Sequence, residues 1–110
     1  MQENIFKTFG CRLNTFETEV MKNFVEEKNL RNVVILNTCA VTTEAERKAK
    51  REVQKLRSQN PDSFIIVTGC AAQLKPDFFQ NMDAVNLVLG NKDKLSEASW
   101  KKISKIKPDV

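Results

Sequence analysis

Three cysteines stand where an apolar, strand-like run gives way to a polar, helix-like segment: Phe6-Lys-Thr-Phe-Gly-Cys11, Val34-Ile-Leu-Asn-Thr-Cys39 and Ile65-Ile-Val-Thr-Gly-Cys70. They recur at separations of 28 and 31 residues. If the three strands are parallel neighbours, all three thiols leave the sheet at its carboxyl edge, where ligands gather in open α/β folds. Three converging thiols with no fourth describe a cluster site with one open position. Soft thiolates select iron–sulfur clusters, zinc or copper(I) over magnesium or calcium. No Cys-x-x-Cys pair exists, which counts against a zinc knuckle. A four-iron cubane prefers four ligands, so one iron would stay open to an outside sulfur, water or substrate.

The positions favour that chemistry. Each cysteine precedes a helix-like segment whose free N–H groups and positive dipole end stabilise a thiolate. Gly10 and Gly69 permit a tight turn and a close approach of backbone to a bulky group. Asn14, Thr38 and Gln73 lie within three residues of a cysteine in the same loops, so they are candidates to hydrogen-bond the sulfurs. The competing reading is three buried packing cysteines, since free cysteine is a common core residue. From the residues alone both readings stand.

Other chemistries fall away. The chain has no histidine, which removes imidazole-based hydrolase schemes, and no tyrosine. Its three glycines form no phosphate-binding loop. Glu17, Glu19, Glu44 and Glu46 fall in first helical turns, where their default role is to offset the dipole. The net charge of +4 is read first as solvated surface lysines, with a phosphate-bearing partner as the alternative. No signal-like or long apolar run is present, which predicts a cytoplasmic, non-membrane chain in a reducing compartment.

The elements that must position the cysteines can be read from periodicity. A strand is expected over Asn4–Phe9. A helix follows, capped by Asn14 with Glu17 and running to about Lys28, with Phe16, Val20 and Phe24 as its apolar stripe beside Met21 and Val25. Val33–Leu36 reads as a strand buried on both faces. Thr43 and Glu46 cap a helix to about Ser58, burying Ala45, Ala49, Val53 and Leu56 and presenting Arg47, Lys48, Arg51 and Lys55 opposite. Phe64–Val67 is the third strand. A short helix over Pro76–Met82 should pack Phe78 and Phe79 on the sheet. Val85–Leu89 is the fourth strand, and a last helix over Asp93–Ile106 carries Leu95, Ala98, Ile103 and Ile106. The alternation predicts a single-domain α/β, Rossmann-like or flavodoxin-like open sheet of four to five mainly parallel strands, with helices packed on it. Right-handed crossovers should keep successive strands adjacent.

Taken together, Thr8-Phe-Gly-Cys11-Arg-Leu-Asn14-Thr-Phe-Glu17-Thr-Glu, Asn37-Thr-Cys39-Ala-Val-Thr and Val67-Thr-Gly-Cys70-Ala-Ala-Gln73 resemble the N-terminal domain of the radical S-adenosylmethionine methylthiotransferases. Within that family the wording is most similar to the branch acting on tRNA N6-threonylcarbamoyladenosine. The isopentenyladenosine and ribosomal-protein aspartate branches carry different residues after these cysteines. The resemblance implies that Cys11, Cys39 and Cys70 hold an auxiliary four-iron four-sulfur (4Fe-4S) cluster. It also implies a role in adding a methylthio group to carbon 2 of the modified adenosine beside the anticodon.

The family's second 4Fe-4S cluster, which cleaves S-adenosylmethionine, needs a Cys-x-x-x-Cys-x-x-Cys motif absent here, and the RNA-binding domain is absent too. The expectation is therefore an auxiliary-cluster domain over residues 1–107, with 108–110 beginning a linker to a radical domain. Such a domain contains no catalytic residue and is inactive alone, with tRNA engaged through the full-length protein. The stretch from Lys28 to Val33 is shorter than in many relatives, which favours four strands over five. A cluster-free or zinc-binding flavodoxin-like module is the alternative from another class.

Overall fold

The computed structural model describes residues 4–9, 12–38, 42–69, 72–73, 76–90 and 92–106, with backbone alone at 12–14, 104 and 106. Four strands, β1 (Ile5–Thr8), β2 (Val33–Thr38), β3 (Phe64–Gly69) and β4 (Leu87–Val88), form one parallel sheet in the order β1-β2-β3-β4. Between and after them come α1 (Arg12–Glu27), α2 (Thr43–Gln59), the short α3 (Pro76–Gln80), a 3-10 turn (Asp93–Leu95) and α4 (Glu97–Ile106). The expected α/β open sheet is present, and successive strands are neighbours.

The sheet is built around β2, in which every residue is buried. Its alternate side chains feed two separate cores. Val34 and Leu36 pack with Ile65 and Val67 of β3, with Ala49, Val53 and Leu56 of α2, and with Phe79 of α3. Val33 and Ile35 pack on the other face with Ile66, with Met21 and Val25 of α1, and with Trp100 and Ile103 of α4. A β-branched run buried on both sides is the signature of a central parallel strand.

The hand of the connections differs from the expectation. Strand order advances the same way across the sheet at each step, so crossovers of one hand would place α1, α2 and α3 on one face. Instead α1 lies opposite α2 and α3, and the first crossover has the hand opposite to the next two. The return from α1 to β2 is short and turns through Asn29 and Asn32, both at positive φ (55° and 60°). Asparagine accepts that conformation more readily than most residues. With α1 and α4 side by side, the second face of the sheet gains its cover.

Element ends also shift. α1 begins at Arg12, so Asn14 lies inside the helix and the Asn14–Glu17 capping box does not form. The buried face of α1 runs through Thr18, Met21 and Val25, while Phe16 is 64% exposed. The α2 cap is Thr42, one residue before the expected Thr43; its hydroxyl accepts from the Ala45 N–H at 3.0 Å. Of the expected stripe, Ala49, Val53 and Leu56 are buried and Ala45, in the first turn, is half-buried. Phe79 enters the core but its neighbour Phe78 stays partly exposed, because adjacent helical positions diverge. The last helix is broken at Ser96, which leaves Leu95 exposed and makes Trp100 and Ile103 the anchors.

Trp100 is fully buried, stacks near Phe24 with ring centroids 6.3 Å apart, and donates its indole N–H to the Lys94 carbonyl at 2.8 Å. Trp100→Ala should cost about 3–5 kcal/mol, read as a lowered midpoint in urea unfolding followed by circular dichroism.

Candidate functional site

The carboxyl ends of β1, β2 and β3 are level. Thr8 is the register partner of Asn37, Asn37 of Thr68, and Thr38 of Gly69. The Phe9 N–H extends the first ladder to the Asn37 carbonyl at 2.9 Å. Cys11, Cys39 and Cys70 follow these strand ends in sequence but lie outside the described residues, as does the Asn14 side chain. Among the described residues no three His, Cys, Asp or Glu side chains gather to hold a metal. Thiolate sulfur, which the sequence supplies at Cys11, Cys39 and Cys70, is a soft donor that suits an iron–sulfur cluster better than a hard cation.

Thr38 and Gly69 are locked to one another. The Thr38 hydroxyl donates to the Thr68 carbonyl at 2.8 Å inside the sheet. Its single proton is thus engaged by the neighbouring strand. Gly69 adopts φ +104°, and a Cβ there would lie 2.0 Å from the Thr38 carbonyl oxygen. The glycine is required by the approach of β3 to β2 immediately before Cys70. Gln73 stands apart from this contact. Its Oε1 lies against Gly90, where an added Cβ would approach to 2.7 Å. With Ala72, Gln80, Lys92 and Asp93 it borders an open cavity of about 320 Å³ on the β4 side.

A second feature was not anticipated from the sequence. Lys94, in the 3-10 turn after β4, is 1% exposed, and its ammonium reaches the Glu17 carboxylate of α1 at 2.6 Å and the Asn37 Oδ1 at 3.3 Å. The Asn37 amide donates to the Thr18 hydroxyl at 3.2 Å, and that hydroxyl lies 2.8 Å from the hydroxyl of Thr8. One polar chain therefore ties α1, the ends of β1 and β2, and the turn after β4 beneath the carboxyl edge. Glu17 serves as the counter-ion of a buried lysine, not as a helix cap. Lysines are almost never fully buried unless paired, so nothing local marked Lys94. The available hint was Asn37-Thr38, two polar residues ending a strand otherwise apolar on both faces.

A family model described as "Uncharacterized protein family UPF0004" matches residues 3–90, most of the chain and the whole of the sheet. The chain belongs to UPF0004. This domain is the N-terminal domain of the methylthiotransferases that the resemblance pointed to. Relatives that match this UPF0004 chain carry matching names. A threonylcarbamoyladenosine tRNA methylthiotransferase of Rickettsia prowazekii (strain Madrid E) is 50% identical over 88 residues, covering 80% of this chain and 21% of the relative. One of the same name from Thermotoga maritima is 40% identical over 95 residues, covering 80% and 22%. A tRNA-2-methylthio-N(6)-dimethylallyladenosine synthase of Lawsonia intracellularis is 35% identical over 95 residues, covering 76% and 21%. The chain spans about a fifth of the length of these relatives. No solved structure matches. No helix among the described residues is long and apolar enough to cross a membrane.

Two outcomes test the edge. Lys94→Met should destabilise the fold by about 3–5 kcal/mol, because it leaves the Glu17 carboxylate, only 13% exposed, without its partner. The double variant Glu17→Gln, Lys94→Met should recover much of that loss in the same denaturation measurement. Gly69→Ala should cost roughly 1–3 kcal/mol or more, through the positive φ and the overlap with Thr38, read as a lowered melting temperature.

Proposed function

We propose that this chain is the auxiliary-cluster domain of a tRNA methylthiotransferase, with Cys11, Cys39 and Cys70 as ligands of a 4Fe-4S cluster. The observation that carries the reading is the level ending of three parallel strands, each followed within three residues by one of the cysteines. Cys39 and Cys70 follow in sequence directly on the register partners Thr38 and Gly69, which stand on adjacent strands about 4.8 Å apart. A bound cluster would supply sulfur-transfer and electron-transfer chemistry through an iron that the protein leaves unligated. The chain's own contribution is to hold the strand ends rigid. The Thr38–Gly69 contact fixes β2 against β3, and the Lys94–Glu17–Asn37 chain fixes α1 against β2.

The substrate proposed is N6-threonylcarbamoyladenosine in tRNA, beside the anticodon, with a methylthio group added at carbon 2. Support comes from the names of the relatives at 50% and 40% identity, against 35% for the dimethylallyladenosine synthase. Residues 1–107 form the domain on this reading, and 108–110 begin the linker. S-adenosylmethionine and a second 4Fe-4S cluster belong to a radical domain elsewhere in the full-length protein. On this reading the chain alone is inactive, and the full-length protein acts on tRNA in the cytoplasm. Asn14 and Gln73 keep their proposed role of hydrogen-bonding the sulfurs. Thr38 acts instead through its hold on β3.

Anaerobic reconstitution with ferrous iron and sulfide should give broad visible charge-transfer absorption and about four irons per chain. Cys11→Ser, Cys39→Ser and Cys70→Ser should each lose most of that absorption while keeping the far-ultraviolet circular dichroism of the fold. Spectra unchanged by all three substitutions, or stoichiometric zinc in place of iron, would refute the assignment.

A further inference from the structure

Beyond the thiol site, the charge of the chain is concentrated on one helix. Of 18 basic and 14 acidic residues, α2 holds six and three, which leaves the remainder nearly balanced at twelve and eleven. Arg57 is not part of the exposed set: its guanidinium donates to the carbonyls of Pro61, Ser63 and Ala84 and to Asn86 Oδ1. The other five, Arg47, Lys48, Lys50, Arg51 and Lys55, are exposed, and none forms an ion pair among the described residues. Of these, Arg47, Arg51 and Lys55 lie opposite the buried Ala49, Val53 and Leu56, with Lys48 and Lys50 on the flanks. Arg47, Arg51 and Lys55 repeat every four residues, which sets three cations in a line at intervals of about 6 Å. Like charges at that spacing repel and weaken a helix. Glu44, Glu46 and Glu52 stand three or four positions from these cations, yet none of the five cations pairs with them among the described residues, and the helix keeps a net positive charge.

The placement is directional. α2 starts from the Thr42 cap, just past the carboxyl end of β2, and returns alongside the sheet, so the cationic line begins about one turn below the carboxyl rim that the cysteines follow in sequence. Lys48 also rests 5.4 Å over the Phe9 ring, at the end of β1. A polyanion laid along α2 would thus bring one of its units to that rim. We propose that this face of α2 is a docking surface for the phosphate backbone of RNA, positioning the strand without reading its sequence. The proposal rests on the RNA-directed reading above, but it does not need the cluster. RNA is favoured over an anionic membrane because the basic face offers no apolar side chain to insert; the apolar stripe of the helix is buried in the core.

The test uses this chain and a fluorescein-labelled RNA stem-loop with an adenosine in its loop, followed by anisotropy across a potassium chloride series. Arg47→Gln, Arg51→Gln and Lys55→Gln together should weaken binding at least about tenfold near physiological salt and make the log–log salt slope shallower by about two to three. Glutamine is a good helix former, so circular dichroism should be unchanged. A control with the same charge change on other exposed lysines, Lys7→Gln, Lys102→Gln and Lys105→Gln, should keep the parent slope. Three results would overturn the proposal: no RNA binding by the parent chain, equal losses in both triple variants, or loss of binding to phosphatidylserine vesicles alone. Iron and sulfide reconstitution of the same variants should be unaffected, which separates a failure here from a failure of the thiol assignment.

Discussion

The structure depends on β2 being buried on both faces while ending in two polar residues. Apolar side chains from Val33 to Leu36 hold two cores together, one with α2 and α3 and one with α1 and α4. Asn37 and Thr38 then carry amide and hydroxyl groups into a region shielded from solvent. Buried polar groups must find partners or cost about 1–3 kcal/mol each. Thr38 finds the Thr68 carbonyl, and Asn37 finds Thr18 and Lys94. Those bonds bind the surrounding elements to the carboxyl end of the strand.

That requirement explains why an ion pair lies under the edge. Lys94 could not be buried without Glu17, and Glu17 gains a partner only because α1 packs on the face that carries the turn after β4. The unusual hand of the first crossover is what puts α1 there. Breaking one member of such a pair is expected to be far more costly than removing both, since the penalty lies in the uncompensated charge. The pair therefore acts more as a constraint on arrangement than as a source of stability. It fixes where α1 stands relative to β2, and so where the loops after β1 and β2 must begin.

Much of this was legible beforehand, for local reasons. The unbroken β-branched run of β2, the repeat of Ala49, Val53 and Leu56 and the strand-to-cysteine junctions all follow from periodicity over a few residues. The errors share a cause. The spacing of Phe16 four residues before Val20 predicts a place in the apolar stripe of α1, yet the helix faces the sheet through Thr18, Met21 and Val25. The Asn14–Glu17 capping box failed because the helix starts at Arg12 and Glu17 faces Lys94 instead. In each case a partner far along the chain, which no local pattern reveals, outweighed a good local one.

The sequence by itself determined the alternation of strands and helices, the parallel sheet and the spacing of three thiols after three strand ends, because backbone preference and hydrophobic period act over neighbouring residues. Its motifs also carried the family, since whole stretches such as Asn37-Thr-Cys39-Ala-Val-Thr are compared residue by residue. Only the tertiary structure decided which face α1 covers, why Gly69 must be glycine, and how Lys94 can lie in the interior. The last two depend on groups 31 and 77 positions apart being pressed together, and burial sets their energies only once the chain has closed around them.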